Sequence, residues 1–272
     1  MKDYKFSVIL SIYNKITLDE IKRSLLSLKK QKLKPNEIIV VFDGPCSLNI
    51  RLFVNYFLNK FFYKKFFFLK NKLNKGIAFS YNLAIQNSKY NLIAIQDSDD
   101  VSLPNRFKLQ IQTFINNKNL SVLGGYLLEK SLNNDYLKKN PIKFSSIKKY
   151  IFFKNPINHP TVMFKKDKLK LVNFYSHCER MEDYYLWIKL ISKNIIIQNI
   201  PNVLVHSVVD EQFLKRRTSI KVLISEFKIH LLLINKFKIH ILMIFFIFPI
   251  KIFYHLVPKN FKRVIRPLIN SF

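Results

Sequence analysis

The chain has 272 residues, of which 49% are hydrophobic, and it carries a formal net charge of +29. The apolar content is enough for a sizeable core, which excludes global disorder. The count of 4 glycines excludes long glycine-rich phosphate loops, and Cys46 and Cys178 lack the spacing of a zinc motif or a disulfide framework. The charge favours polyanionic partners, but the basic residues are spread along the whole chain. This spread indicates compositional drift and a general attraction to anionic membranes rather than a nucleic-acid site.

Three continuous apolar runs of strand length lie in the first hundred residues, at 6–12, 38–42 and 92–95. Such runs are typical of strands buried on both faces of a parallel sheet. Helical patterns alternate with them. Thr17 and Glu20 form a candidate capping box, and residues 76–87 and 104–117 look helical, with Pro104 near the first turn of the latter. The alternation predicts an α/β fold with a doubly wound sheet, whose ligands bind at the carboxyl ends of the strands.

The remainder of the chain changes character twice. Residues 120–206 form a less regular middle, and after about Glu211 the pattern is a long apolar helix with interspersed lysines. The uncharged run 241–250 is too short to span a bilayer, which needs ~20 apolar residues. Because basic residues surround this run, we predict a segment that lies in the membrane interface with its cations on anionic headgroups. A buried C-terminal helix is the alternative.

An acidic cluster follows the third apolar run and consists of Asp97, Asp99 and Asp100. Two carboxylates two positions apart after a buried strand can turn toward one hard divalent cation, which also binds substrate phosphates. The alternative is that the acids only turn the chain before the helix that Pro104 opens, where Ser102 is the better candidate for the cap. The two interpretations are compatible, and Asp100 is expected to support the loop.

Polar residues also follow the other predicted strands. Tyr13 follows the first, Asp43 ends the second, and Asn74 and Gly76 lie at a later strand-to-helix turn. A carboxylate at the position of Asp43 can accept hydrogen bonds from a base or a ribose. Free backbone N–H groups and amides at the turn would suit a polar ligand.

A second acidic pair, Glu182 and Asp183, precedes a helical pattern in which Leu186, Trp187 and Leu190 share the apolar side. A carboxylate at a helix N-terminus is stabilised as an anion. It can therefore act as a general base if it reaches the proton that it removes. The alternative is an ordinary first-turn acid.

These motifs occur in a characteristic order: SVILSIYN, EIIVVFDGP, NKGIAFSYNLAI, DSDDVSLPNRF, NHPTVMFKK and EDYYLWIKL. Their order and spacing resemble family 2 glycosyltransferases, most closely the bacterial branch that builds capsules, exopolysaccharides and lipopolysaccharide. The resemblance covers roughly residues 5–217. It implies an A-type glycosyltransferase fold and an inverting transfer from a nucleotide diphosphate sugar, with a UDP-sugar as the expected donor. It also implies a saccharide or lipid-linked acceptor.

The resemblance assigns roles to residues of the donor half. Ser11 and Tyr13 would hold the nucleotide and Asp43 would contact its base. Asp97 and Asp99 match the DxD pair that binds Mn²⁺ or Mg²⁺, with Asp99 the better candidate for direct metal contact. The chain departs from the usual pattern at three positions, with Ser11 in place of proline, Phe42 in place of a first aspartate and Tyr81 in place of arginine.

The resemblance assigns the catalytic base to Asp183, with Glu182 as its neighbour. On the acceptor side it suggests His159 and Trp187, and it offers His206 as a tentative third metal ligand. Arg216 and Arg217 are candidates to steady the diphosphate, with a membrane-facing surface as the equal alternative. A structural role is the alternative for both histidines.

The predicted organisation has two parts. Residues 1–210 form the catalytic domain, with a nucleotide-sugar half at about 1–118 and an acceptor half at about 119–210, and residues 211–272 form a basic, apolar helical region at the membrane. We expect a cytoplasmic enzyme that is peripheral on the inner face of the cell membrane. Two rival functions remain at this stage: a nucleotidyltransferase, although the basic glycine-rich loop that it needs is missing after the first strand, and a basic membrane-binding or nucleic-acid-binding protein without catalysis.

Overall fold

The computed structural model describes residues 4–131, 134–208 and 220–238. The strands of these segments are β1 (Phe6–Tyr13), β2 (Glu37–Asp43), β3 (Phe66–Asn71), β4 (Leu92–Asp97), β5 (Val101–Ser102), β6 (Val122–Lys130), β7 (Tyr136–Lys138), β8 (Met163–Lys165) and β9 (Ile197–Val208). The α-helices are α1 (Leu18–Lys29), α2 (Leu48–Phe62), α3 (Ile77–Asn87), α4 (Arg106–Asn116), α5 (Phe144–Tyr150), α6 (Lys166–Lys170), α7 (Glu182–Ser192) and α8 (Ile220–Phe237). A short 3₁₀ helix spans His159–Thr161.

All of these strands join one mixed sheet, in the order β3-β2-β1-β4-β8-β6-β9-β5, with β7 paired to β6. β1 runs parallel to both β2 and β4, and β2 runs parallel to β3. The carboxyl ends of these four strands therefore meet at one edge. Beyond β4 the sheet continues through antiparallel β8, and β9 then pairs parallel with β6. The predicted α/β class is confirmed, and the strand order reverses at β1, between β2 and β4.

The main core lies between one face of the sheet and helices α1, α2 and α4. Its strand residues are the alternating apolar side chains of β1 and β2, as the pleat requires. α3 packs against β1, β2 and β3 with residues outside that cluster, so it covers the opposite face. The predicted capping box is confirmed at the start of α1, where Thr17 and Glu20 exchange side-chain to backbone hydrogen bonds.

One local prediction is wrong. Ser102 does not cap α4, which begins at Arg106 after Asn105 in the cap position, and Pro104 lies before the helix rather than in its first turn. Instead, Ser102 belongs to β5, which pairs with β9. Its Oγ donates to Gln96 Oε1 at 2.6 Å and accepts from Arg106 at 2.8 Å. Pairing with a distant strand therefore draws the hydroxyl into the interior.

The chain divides into two compact units, Met1–His177 with Glu182–Asp210 and Cys178–Met181 with Glu211–Phe272. The described part of the second unit is mainly α8, in which Val222, Ile229 and Leu233 are buried. No helix among the described residues is long and apolar enough to cross a membrane. The predicted interfacial run 241–250 lies outside the described residues, as do Arg216 and Arg217.

Candidate active site

Strand register brings the predicted donor residues together. Ser11 lies opposite Asp97 on β4, and Tyr13 lies opposite Asp43 on β2. The end of β1 is thus flanked by the two strand ends that carry carboxylates. The structure therefore groups Ser11, Tyr13, Asp43 and Asp97 at one edge of the sheet.

The Asp43 carboxylate organises the turn between β3 and α3. Its Oδ1 accepts from Asn71 Nδ2 at 2.8 Å and from the Lys75 backbone N–H at 2.9 Å, and its Oδ2 accepts from the Gly76 N–H at 3.0 Å. The prediction that the N–H groups of this turn are free is therefore wrong for Gly76. The Asp43 carboxylate accepts these hydrogen bonds because it is nearly fully buried, and a buried charge is stable only when it is hydrogen-bonded.

The close approach of two backbone segments explains why position 44, at the end of β2, is a glycine. Gly44 has φ of +86°, and a Cβ added there would lie 2.6 Å from the backbone nitrogen of Asn74. Only glycine fits this backbone at that distance. The end of β2 and the turn that contains Asn74 are consequently in direct contact, which places Asn74 beside the donor edge as the sequence predicts.

The acidic cluster lies where β4 leaves the sheet. Burial is the main cause that raises the pKa of Asp100 well above its usual value, and the negative charges of Asp97 and Asp99 raise it further. A hydrogen bond from Ser207 on β9 and the charge of Arg106 oppose this rise. The three carboxylates are therefore close enough to repel one another, and Asp97 and Asp99 offer oxygen atoms of the kind that a hard divalent cation prefers.

Arg106 lies in the interior near this cluster and is a residue that the sequence analysis missed. Its side chain is fully buried. The guanidinium donates to Ser102 Oγ at 2.8 Å and to the carbonyl oxygen of Ile95 at 2.7 Å. Burial lowers the pKa of Arg106 to about 10, although Asp97 and Asp100 oppose this shift, so the group remains charged at neutral pH. A cation in the first turn of a helix opposes the helix dipole, and that anomaly in the sequence could have identified it.

Tyr81 holds Asp97 from the side of α3. Its hydroxyl donates to Asp97 Oδ1 at 2.6 Å, and the side chain is almost completely buried. Burial first, and then the Asp97 charge, raise the pKa of Tyr81 well above its usual value. The phenol therefore stays protonated and remains a donor. Tyr81 is the position at which the chain departs from the usual arginine.

Removing this hydroxyl tests its role. We expect Tyr81→Phe to weaken binding of the nucleotide-sugar donor about tenfold or more, because a buried hydrogen bond to a charged group contributes ~1.5–3 kcal/mol. Donor affinity measured by titration calorimetry checks this. The control is Tyr63→Phe, which changes an exposed phenol. Equal donor affinities in the two variants would show that Tyr81 does not position Asp97 for the donor.

Asp183 is the second acid of α7, and its partner is also absent from the sequence analysis. Asn155 Nδ2 donates to Asp183 Oδ2 at 2.7 Å. Asp183 lies in the first turn of α7 together with Glu182. The amide of Asn155 therefore fixes the orientation of the Asp183 carboxylate.

Aromatic side chains connect Asp183 to the donor carboxylates. Tyr175 is buried, and its pKa is raised well above the usual value first by burial and then by the charges of Asp183, Asp97 and Glu182. Its hydroxyl lies 3.0 Å from His159 Nε2. The ring centroids of Tyr81 and His159 are 5.4 Å apart, and those of Tyr81 and Tyr175 are 5.6 Å apart. Asp97 and Asp183 therefore flank one aromatic cluster.

The predicted acceptor-side residues occupy different positions in this cluster. His159 is partly exposed, whereas Trp187 is fully buried with its ring centroid 6.4 Å from that of His159. Among the described residues, Trp187 Nε1 has no hydrogen-bond partner. In this arrangement Trp187 supports His159 from the interior, and a direct contact between Trp187 and an acceptor would require the ring to become exposed.

His206 lies on β9, paired with Val101 just after the acidic cluster. Burial first, and then the charge of Lys130, lower the pKa of His206 and favour the neutral imidazole that a metal would need. Within the described ranges, however, no three His, Cys, Asp or Glu side chains form a preassembled metal site. The tentative third ligand is therefore not brought together with Asp97 and Asp99.

A mixed sheet with carboxylates at the ends of β2 and β4, an acidic loop after β4 and an acid at the start of α7 is the arrangement expected of an A-type glycosyltransferase. Residues 7–172 match the family model for glycosyl transferase family 2, and the chain belongs to that family. The protein is thus a glycosyltransferase, which sets aside the nucleotidyltransferase and the non-catalytic alternatives.

Two relatives illustrate this membership. The amylovoran biosynthesis glycosyltransferase AmsE of Erwinia amylovora is 32% identical over 73% of this chain and 74% of its own length. The UDP-Gal:alpha-D-GlcNAc-diphosphoundecaprenol beta-1,3-galactosyltransferase of Escherichia coli is 31% identical over 82% of this chain and 81% of its own.

A solved structure supports the fold. The mannosyltransferase PcManGT from Pyrobaculum calidifontis, in complex with GDP-Man and Mn²⁺, superposes with a TM-score of 0.63. The superposition covers 83% of this chain and 65% of that one at 13% identity. The predicted A-type glycosyltransferase fold is confirmed.

Proposed function

We propose that the protein is an inverting, metal-dependent glycosyltransferase that moves a sugar from a UDP-sugar to a saccharide or lipid-linked acceptor during synthesis of a cell-surface polysaccharide. The observation that carries this proposal is the pair of acids held on either side of one aromatic cluster, Asp97 by Tyr81 and Asp183 by Asn155. The names of the two relatives support a role in polysaccharide synthesis, and the Escherichia coli relative supports a UDP-sugar and a lipid-diphosphate acceptor.

The donor binds, on this proposal, along the carboxyl edge of β1, β2 and β4. Ser11 and Tyr13 line the nucleotide site, and Asp43 contacts the base while it continues to hold the turn that contains Asn74 and Gly76. A carboxylate has about four acceptor positions, and the three donors found within the protein leave one for a ligand.

Asp97 and Asp99 would hold a divalent cation, Mn²⁺ or Mg²⁺, with Asp99 as the direct ligand. Such a cation supplies charge neutralisation at the diphosphate that leaves. Clustered carboxylate oxygens of this kind suit either ion, and the Mn²⁺ complex of PcManGT adds support. Tyr81 fixes one oxygen of Asp97 and so limits the directions in which that carboxylate can turn.

Asp183 acts as the general base. It removes the proton from an acceptor hydroxyl as that oxygen attacks the anomeric carbon from the face opposite the diphosphate, and the configuration at that carbon is therefore inverted. Asn155 orients the carboxylate, and Glu182 is its neighbour in the first turn of α7. His159, supported by Trp187, contacts the acceptor.

The proposed function divides between two parts of the chain. Residues 1–210 carry donor binding and catalysis, and the basic region 211–272 associates with the anionic inner face of the cell membrane, where a lipid-linked acceptor lies. Arg216 and Arg217 are candidates to steady the diphosphate. No nucleic-acid partner is proposed.

A donor screen tests the function. The full chain is incubated with UDP-, GDP- and dTDP-sugars, a lipid-diphosphate GlcNAc acceptor and Mn²⁺, and release of nucleoside diphosphate is measured. We expect turnover with a UDP-sugar and a loss of about a hundredfold or more on chelation and in Asp99→Asn, because metal neutralisation of the leaving group is removed. Asp135→Asn, an exposed acid elsewhere, is the control.

Each part of the proposal can fail separately. Turnover only with another nucleotide would exclude the UDP-sugar assignment, and full activity in excess chelator would exclude metal dependence. Retention of the anomeric configuration in the product, determined by NMR, would exclude an inverting reaction. Absence of release with every donor would refute the proposed substrates altogether.

A further inference from the structure

A large acid-free region lies beside the donor edge. Residues 44–96 contain no Asp or Glu and eight Lys or Arg. They form α2, β3 and α3, and β3 is the outer strand of the sheet. Eight of the seventeen exposed large hydrophobic side chains of the described segments also belong to this region. Exposed apolar side chains are thus concentrated in this region, which contains basic residues but no acidic ones.

A cavity of about 390 Å³ lies at the carboxyl ends of β2 and β3. Phe42 and Cys46 line it together with three cationic side chains, Arg51, Lys70 and Lys72. None of the three cations forms an ion pair with a carboxylate in the part of the chain that the structure describes. Three uncompensated cations around one cavity favour an anionic group.

Exposed apolar side chains border the cavity. Leu48 and Leu52 lie on α2 close to Arg51 in sequence and are 59% and 58% exposed. Leu73 follows Lys72 and is 70% exposed. We name Leu48, Arg51, Leu52, Lys70, Lys72 and Leu73 the β3-edge surface. Leucines beside lysines and arginines are the combination that lies in a bilayer interface, with apolar groups among the acyl chains and cations at the phosphates.

We propose that the β3-edge surface binds an anionic lipid bilayer, with a headgroup phosphate in the cavity between Arg51, Lys70 and Lys72. The charge disfavours a second copy of the chain as the occupant of this outer strand, because two such basic edges repel each other. The exposed leucines favour a bilayer over a nucleic acid, which offers them no apolar contact. The proposal concerns the first compact unit alone and does not depend on residues 211–272.

Vesicle co-sedimentation of the full chain tests this surface. The probes are phosphatidylcholine vesicles with and without phosphatidylglycerol. The variant Arg51→Glu/Lys70→Glu/Lys72→Glu is compared with Lys139→Glu/Lys143→Glu/Lys149→Glu, which lowers the net charge by the same six units at exposed sites elsewhere. We expect the first variant to bind anionic vesicles about tenfold or more weakly than the second, because each cation near the surface contributes to binding.

A second pair of variants tests the apolar part. Leu48→Ser/Leu52→Ser/Leu73→Ser is compared with Ile142→Ser/Phe153→Ser/Leu171→Ser, which removes other exposed apolar side chains. We expect weaker vesicle binding only in the first. Residues 211–272 are unchanged in all four proteins, so their contribution cancels in each comparison. Circular dichroism verifies that every variant is folded.

Three outcomes would overturn the proposal. Equal vesicle affinity within both matched pairs would show that the surface does not contact lipid. Salt-sensitive binding to duplex DNA that exceeds vesicle binding, and that the serine variant retains, would assign the cavity to a nucleic acid. A raised KM for the nucleotide sugar in the glutamate variant, with a soluble acceptor, would place the cavity in the donor site instead.

Discussion

Replacing Asp183 by Asn is expected to abolish transfer while the fold and donor binding persist. The amide is nearly isosteric with the carboxylate but cannot accept the proton of the acceptor hydroxyl. General-base catalysis typically contributes ~10²–10⁴-fold, so kcat should fall by about that factor. The donor edge at β1, β2 and β4 is untouched, and affinity for the nucleotide sugar should therefore remain within about twofold, which is typical of an independent site.

The measurement combines turnover, donor calorimetry and thermal unfolding. Asp167→Asn is the matched control, because Asp167 is also an acid in the first turn of a helix but is exposed at the surface. The control should keep full turnover. Near-normal turnover in Asp183→Asn would refute the base assignment, and a parallel loss of donor affinity would mean that Asp183 acts on the donor rather than on the acceptor.

Replacing Arg106 by Met is expected to lower the free energy of unfolding by ~3–5 kcal/mol, because the variant loses two short buried hydrogen bonds from a charged group and each contributes ~1.5–3 kcal/mol. The guanidinium donates to Ser102 Oγ and to the Ile95 carbonyl oxygen, and all of these atoms are buried. Methionine fills much of the volume but leaves the carbonyl oxygen unpaired and Asp100 without its nearest positive charge. The acidic cluster should then lose its support.

Urea unfolding at neutral pH measures this effect. Arg23→Met, at an exposed position of α1, should change the unfolding free energy by no more than about 0.5 kcal/mol. If the methionine variant does not fold, the same unfolding free energy is measured for Arg106→Lys. Lysine keeps the charge but makes fewer hydrogen bonds. Unchanged stability in both Arg106 variants would show that the buried cation contributes nothing to the loop.

The parts of the fold that depend on residues close together in sequence could be predicted from the sequence. β1, β2 and β4 are continuous apolar runs because helices cover both faces of the sheet there. The cap of α1 was predictable because Thr17 and Glu20 are three residues apart and bond to each other. The strand ends that carry Asp43 and Asp97 followed from the same runs.

The parts that depend on distant pairing could not be predicted. Ser102 has the chemistry of a cap, but β5 pairs with β9 about a hundred residues later and draws the hydroxyl inward. Asn155 reaches Asp183 across 28 positions, and Asn82 holds the backbone of Tyr175 across 93. No local pattern marks such contacts, so the partners that orient the two acids emerged only from the fold.

Trp187 is an intrinsic fluorescence probe. It is the single tryptophan of the chain, so the indole emission of the whole molecule originates from one buried ring on α7, four residues after Asp183. Residues four apart lie on the same side of a helix, one turn from each other. The emission wavelength of Trp187 should therefore shift when the surroundings of Asp183, the proposed base, rearrange. Acceptor binding could then be followed without a label, even in the inactive variant Asp183→Asn.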